Sequence, residues 1–140
     1  MFRLNLYTPE KKLVQSQEVD ELFVSAEKGE LNILPGHAPL MTTLQPGILR
    51  YRRKGEGSMQ SVALSWGYCQ VNPEGVNILA QTAETPEEID IERVNRSIKL
   101  STEQLNAIDA DADMVEKHLK KLMRAKVRKE LVEQNGQTTH

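Results

Sequence analysis

Hydrophobic and polar residues alternate in short runs over roughly the first eighty positions, and afterwards apolar residues recur every three or four. Phe2-Arg3-Leu4-Asn5-Leu6-Tyr7 reads as a strand with a half-buried face. Leu22, Val24 and Ala26 lead through Glu27-Lys28-Gly29 to Leu31 and Ile33, the pattern of a hairpin. Thr8-Pro9-Glu10, Gly55-Glu56-Gly57 and Asn72-Pro73-Glu74-Gly75 supply three more turns. Short strands without intervening helices predict a small antiparallel β-sandwich or barrel over residues 1–84. Its inward faces are expected to hold Leu22, Val24, Ile33, Leu49, Leu64, Trp66, Val71, Ile78 and Ala80. Burying each large aliphatic side chain contributes about 1.5–3 kcal/mol, so this core needs neither metal nor disulfide.

The period changes at Thr85-Pro86-Glu87-Glu88, which combines an N-cap hydroxyl, a proline at the first helical position and a glutamate three residues after the cap. A helix is therefore expected to begin there. Ile91, Val94, Ile98, Leu105 and Ile108 form one apolar stripe. Ile108-Asp109-Ala110-Asp111-Ala112-Asp113 supplies capping residues. A second stripe then runs through Val115, Leu119, Leu122, Met123 and Val127 to Leu131. The expectation is an α-helical hairpin over residues 85–135 and a frayed tail over 136–140.

Composition narrows the chemistry. The 140 residues carry a net charge of −2, which gives no global attraction to nucleic acid or to an anionic membrane. Cys69 has no partner for a disulfide and lies in an apolar run, as a small buried side chain would. The amino terminus shows neither a signal peptide's apolar run nor a basic transit segment, and no window reaches membrane-spanning length. His37, His118 and His140 have no ligand-like spacing, so no metal site is expected. Ser25, Ser58, Ser61 and Ser65 lack a nucleophile-elbow context, and no Walker-type phosphate loop is present. Asp109, Asp111 and Asp113 alternate like part of a calcium loop but lack its glycine and terminal glutamate, so capping explains them better.

The last helix is a basic rod. Lys117, Lys120, Lys121, Arg124, Lys126, Arg128 and Lys129 face only Glu116 and Glu130, whereas Glu84, Glu87, Glu88, Asp90, Glu92 and Glu103 outnumber the bases of the preceding segment. Exposed pairs contribute only about 0.2–1 kcal/mol each, so these charges bias a hairpin without locking it. Taken alone, such a rod is a solvated face, a site for an acidic partner or a nucleic-acid arm on a β-sandwich adaptor.

The stretch Gly29-Glu30-Leu31-Asn32-Ile33-Leu34-Pro35-Gly36-His37-Ala38-Pro39-Leu40, followed by Leu44-Gln45-Pro46-Gly47, constrains the backbone and offers few reactive groups. Pro35 and Pro39 fix φ and extend the residues before them, while Gly36 and Gly47 permit positive φ. It resembles the amino-terminal signature of the epsilon subunit of bacterial F-type ATP synthases. The likeness continues in Trp66-Gly67-Tyr68-Cys69-Gln70-Val71, Val76-Asn77-Ile78-Leu79-Ala80, Thr82-Ala83-Glu84 and the charged helical tail.

That resemblance implies a non-catalytic rotor subunit of the central stalk, peripheral on the cytoplasmic face of the inner membrane, meeting the membrane only through the complex. It needs no cofactor and takes no nucleic acid. The sandwich is expected to bind the gamma subunit and the ring of c subunits, with Gly29, Glu30, Leu31 and Asn32 in a loop toward the ring and His37 near gamma. The helices are expected to extend and inhibit ATP hydrolysis, with Lys120, Lys121, Arg124, Arg128 and Lys129 meeting acidic segments of alpha and beta. Some members of the family bind regulatory ATP through a pattern that matches Ile89-Asp90-Ile91-Glu92-Arg93 here, with Arg124 and Arg128 on the second helix. Val94 stands where alanine is typical. A nucleotide-sensing adaptor is the alternative this pattern keeps open.

Overall fold

The computed structural model describes residues 1–107 and 112–138. The chain divides into two units, Met1–Glu84 and Thr85–His140. The first consists of nine strands: β1 (Phe2–Tyr7), β2 (Lys12–Ala26), β3 (Gly29–Ile33), β4 (Leu40–Leu44), β5 (Gly47–Arg53), β6 (Gln60–Leu64), β7 (Gly67–Asn72), β8 (Gly75–Ala80) and β9 (Ala83–Glu84). They run β1-β8-β7-β4-β2-β5-β6-β9, with β3 paired to β2 and β1 also paired to β2. Because β2 is 15 residues long, its early part pairs with β1 and its late part with β3, β5 and, at Ala26, β4. This long strand joins the two faces of a β-sandwich. One pairing departs from the antiparallel expectation, since β1 and β8 run parallel with Leu4 beside Val76 and Leu6 beside Ile78.

Alternation along the strands points one set of side chains inward. Leu4, Leu6, Leu22, Val24, Ile33, Leu44, Leu49, Val62, Leu64, Val76 and Ile78 are all buried, and the whole cluster lies at or before Ala83. Trp66 is the exception to the expected core: it is only half-buried. Strand β6 ends at Leu64, and Ser65 takes the next inward place at 1% exposure. Its hydroxyl accepts hydrogen bonds from the Thr82 N–H at 2.9 Å and the Thr82 hydroxyl at 2.8 Å. The four consecutive buried residues Val62, Ala63, Leu64 and Ser65 break the period of two, and Trp66 is carried outward.

Turn chemistry follows the sequence closely. The Asn72 carboxamide oxygen accepts from the backbone N–H groups of Glu74 and Gly75, both at 3.0 Å, closing the β7–β8 hairpin as an Asx turn. Leu34-Pro35-Gly36-His37 is a tight turn in which the His37 N–H donates to the Leu34 carbonyl at 3.1 Å, with Gly36 at φ 84°. Gly47 does not use positive φ as the sequence reading expected. Its glycine is required because a Cβ there would collide with the Ser25 side chain. Ser16 sits at φ 47°, beside an irregularity in the β1–β2 register, and its N–H is held by the Asn5 carboxamide oxygen at 2.7 Å.

The second unit begins differently from the reading above. Thr85 and Glu88 bracket a 3₁₀ turn, Pro86–Glu88, rather than the first turn of the long helix. Helix α1 spans Ile91–Ala107 and α2 spans Ala112–Thr138. Asp90 is the cap of α1: its carboxylate accepts from the N–H groups of Glu92 at 3.0 Å and Arg93 at 3.3 Å, and its carbonyl from that of Val94 at 3.0 Å. Asp90→Ala should therefore lower the thermal stability of the helical unit by about 1 kcal/mol, read from its helical circular-dichroism signal. Helices α1 and α2 pack against each other. Along α1, Ile91, Val94, Ser97, Ile98, Ser101 and Leu105 are the covered positions, and Ser101 fills the gap in the expected stripe. Along α2 the covered side chains include Val115, His118, Leu122, Ala125, Val127, Leu131 and Val132, while Leu119 and Met123 are exposed. Four of the six positions expected on the apolar stripe, Val115, Leu122, Val127 and Leu131, are thus covered, and Leu119 and Met123 lie on its uncovered edge. Ile108, Asp109, Ala110 and Asp111 lie outside the described residues, and Asp113 falls in the first turn of α2. Helix α2 extends through Thr138, past Gly136 where a tail was expected.

Candidate functional site

Gly29, Glu30, Leu31 and Asn32 lie in strand β3, not in a loop. Among the described residues β3 pairs with β2 alone, Glu30 opposite Ser25 and Asn32 opposite Phe23. Glu30 and Asn32 point to solvent, Leu31 is half-buried and Ile33 is buried. The alternation therefore presents one carboxylate and one carboxamide along an exposed edge. His37 follows at the end of the Pro35-Gly36 turn, half-buried, with Nδ1 within 2.8 Å of the Ala38 carbonyl. A carbonyl only accepts, so this contact places the ring proton on Nδ1.

The more distinctive surface lies on the outer face of β4, β7, β8 and β1. Register aligns Thr43 with Tyr68, Tyr68 with Leu79, and Leu79 with Tyr7, giving one row across four strands. Tyr68 and Leu79 are 56% and 54% exposed, although both are large side chains on paired strands. Beside this row is a concavity of about 640 Å³ lined by Trp66, Tyr68, Leu79, Leu44, Tyr7 and Glu27 among others. Large apolar groups gathered on one face of a small domain mark a docking surface more often than a random surface does. The sequence signal was available, because Tyr68 and Leu79 alternate with the buried Cys69 and Ile78, but it was absorbed into the likeness of the whole segment.

Cys69 itself is inert. Its side chain is fully buried, and burial pushes the thiol up to about 11. A thiol whose pKa is raised above its ordinary value of 9.0 favours the folded state at lower pH, and that contribution is lost as pH rises from about 9 to about 11. The native chain should accordingly resist thiol-alkylating reagents at pH 8 and react at once when unfolded in urea, which a mass-spectrometric time course would read.

On α2, Lys117, Lys120, Lys121 and Lys126 are exposed, whereas Arg124, Arg128 and Lys129 are half-buried. Lys120 pairs with Glu116 at 3.5 Å. Of the residues suggested for nucleotide, Arg93 is exposed, and Asp90 has its carboxylate committed to the start of α1. No group of three metal-ligating His, Cys, Asp or Glu side chains occurs among the described residues. Nor is any described helix long and apolar enough to cross a membrane.

The site therefore combines a β-sandwich that carries an exposed apolar row with two helices rich in charge. The β-sandwich domain of the ATP synthase Delta/Epsilon chain matches residues 1–86. The chain is 50% identical over 115 residues to the ATP synthase epsilon chain of Bdellovibrio bacteriovorus, covering 81% of this chain and 82% of that one. It is 34% identical over 134 residues to that of Geotalea daltonii, covering 96% and 95%. The chain belongs to the family of ATP synthase epsilon chains. Solved structures share the fold: a chain of the Euglena gracilis mitochondrial ATP synthase OSCP/F1/c-ring assembly has a TM-score of 0.74 at 22% identity, covering 99% of this chain and 81% of that chain. A chain of the Tetrahymena thermophila central stalk and c-ring has 0.64 at 15%, covering 94% and 96%.

Proposed function

We propose that this chain is a rotor subunit of the central stalk, which couples rotation of the ion-driven c ring to the catalytic head through gamma and restrains ATP hydrolysis with its helices. The observation that carries the reading is the aromatic row on the sandwich, an apolar face left open in a chain of this family. It suits a protein partner that covers it. Tyr and Trp at the centre of such a face are the side chains that dominate binding energy when water is excluded. The edge strand β3, with Glu30 and Asn32 outward, offers polar groups to the c ring. The basic face of α2 offers Lys120, Lys121, Arg124, Arg128 and Lys129 to acidic segments of alpha and beta.

The helical unit is suited to a change of partner. Leu119 and Met123 on α2 and Leu100 on α1 stay 45%, 43% and 58% exposed, so apolar surface remains to be gained elsewhere. A gap of a few kcal/mol between two arrangements is enough for a partner to choose between them. Nucleotide control through Asp90, Arg93, Arg124 and Arg128 is not part of the proposal. The Asp90 carboxylate already serves two backbone N–H groups, and Val94 is fully buried where a smaller side chain is typical. The direct test is binding of the full chain to purified gamma, read by calorimetry. A stable complex at micromolar concentration is expected, and Tyr68→Ala should weaken it by about 2 kcal/mol. No complex with folded gamma would overturn the reading.

A further inference from the structure

The concavity beside the aromatic row carries one charge. Among the residues lining it, Glu27 is the one acidic or basic side chain, the others being aromatic, aliphatic, glycine, proline, threonine or glutamine. Glu27 is also held in place. Its N–H donates to the Thr43 carbonyl at 3.0 Å, and its carboxylate accepts the Thr43 hydroxyl at 2.6 Å. Thr43 is the residue aligned with Tyr68, so the carboxylate sits at the end of the same row. Among the described residues Glu27 has no cationic partner, although Glu18, Asp20, Glu21 and Glu56 on the neighbouring strands and turns each pair with an arginine or lysine.

We propose that Glu27 reads the charge of the segment that docks in this concavity: an apolar side chain fills the hollow, and a Lys or Arg beside it meets the Glu27 carboxylate. The proposal rests on the reading of gamma as the partner and names the chemistry of the gamma segment that fits. A carboxylate already oriented by a hydroxyl loses little freedom on pairing. The partner's apolar group excludes water from one side of the pair, which strengthens it relative to a pair in open solvent. An acidic segment is rejected for the same reason, because like charges placed together at an interface are strongly unfavourable.

The test is the affinity of the full chain for purified gamma at two salt concentrations. Glu27→Lys should weaken binding by about tenfold or more and Glu27→Gln by about threefold, while Glu74→Lys, on the β7–β8 turn outside the concavity, should stay within about twofold of the unsubstituted chain. The unsubstituted complex should lose affinity with added salt, and the Glu27→Gln complex should lose less. Unchanged binding by both Glu27 variants, alongside tight binding by the unsubstituted chain, overturns the role of Glu27 and leaves the rotor reading standing. Failure of the unsubstituted chain to bind gamma overturns the rotor reading and this inference with it. Both variants alter an exposed turn residue, and equal urea midpoints would show that their folding is intact.

Discussion

Removing residues 85–140 should raise ATP hydrolysis by the assembled head several-fold over the level set by the full chain, while the remaining sandwich still associates with gamma. The core explains the second half of this expectation. Every residue of the main hydrophobic cluster precedes Thr85, so the truncated chain keeps all of them. Strand β9 (Ala83–Glu84), which pairs with β6, is also retained. The first half follows from the proposed brake: without α2, Lys120, Lys121, Arg124, Arg128 and Lys129 can no longer meet an acidic surface of the head. A tenfold relief would correspond to about 1.4 kcal/mol of lost stabilisation of the inhibited state, a modest share of what a basic helix offers. Steady-state ATPase of the head reconstituted with full or truncated chain reads the effect. Unchanged hydrolysis would reject the brake and leave the docking role untouched.

Gly67→Val should destabilise the sandwich by about 3 kcal/mol or more, enough to consume a large part of a small domain's stability. Gly67 begins β7 opposite Ala80 of β8, and a Cβ there would run into the Leu79 carbonyl and crowd the Ala80 backbone. Backbone atoms in a paired strand cannot swing aside as a flexible side chain does, so relief requires β7 and β8 to separate. The same two strands carry Tyr68 and Leu79, so loss of stability and loss of the docking row should appear together. Urea unfolding followed by tryptophan fluorescence measures the first, and a midpoint unchanged from the unsubstituted chain would show that the contact is relieved more cheaply than its geometry allows.

Local rules carried most of the architecture into the sequence. Turn chemistry at Asn72-Pro73-Glu74-Gly75 and Pro35-Gly36 was visible because a few side chains decide those conformations without help from the rest of the chain. Hydrophobic alternation located Leu22, Val24, Ile33, Leu49 and Ile78 in the core. It failed at Trp66, where consecutive buried residues shifted the phase, and that shift depends on a hydrogen bond between Ser65 and the distant Thr82. On α2 the stripe held at Val115, Leu122, Val127 and Leu131 and failed at Leu119 and Met123, because the width of the covered seam depends on which neighbour the helix meets. Asp90 was read as a ligand candidate and as one acidic residue among several but not as a cap, since capping by an aspartate and recognition by an aspartate look identical until the first amides of the helix are placed. The row from Thr43 to Tyr7 was the least legible, because four strands in a non-sequential order assemble it.

Strand β3 leaves a final consequence. Its outer rim bears backbone donors and acceptors with no neighbouring strand among the described residues, a template on which another copy of the subunit could zip before the complex is built. Glu30 puts a negative charge on that rim and Pro35 stops the ribbon soon after Ile33. Charge and proline are the means by which exposed strand edges are kept from pairing, so the carboxylate proposed to suit a partner would also discourage one solitary chain from zipping onto another.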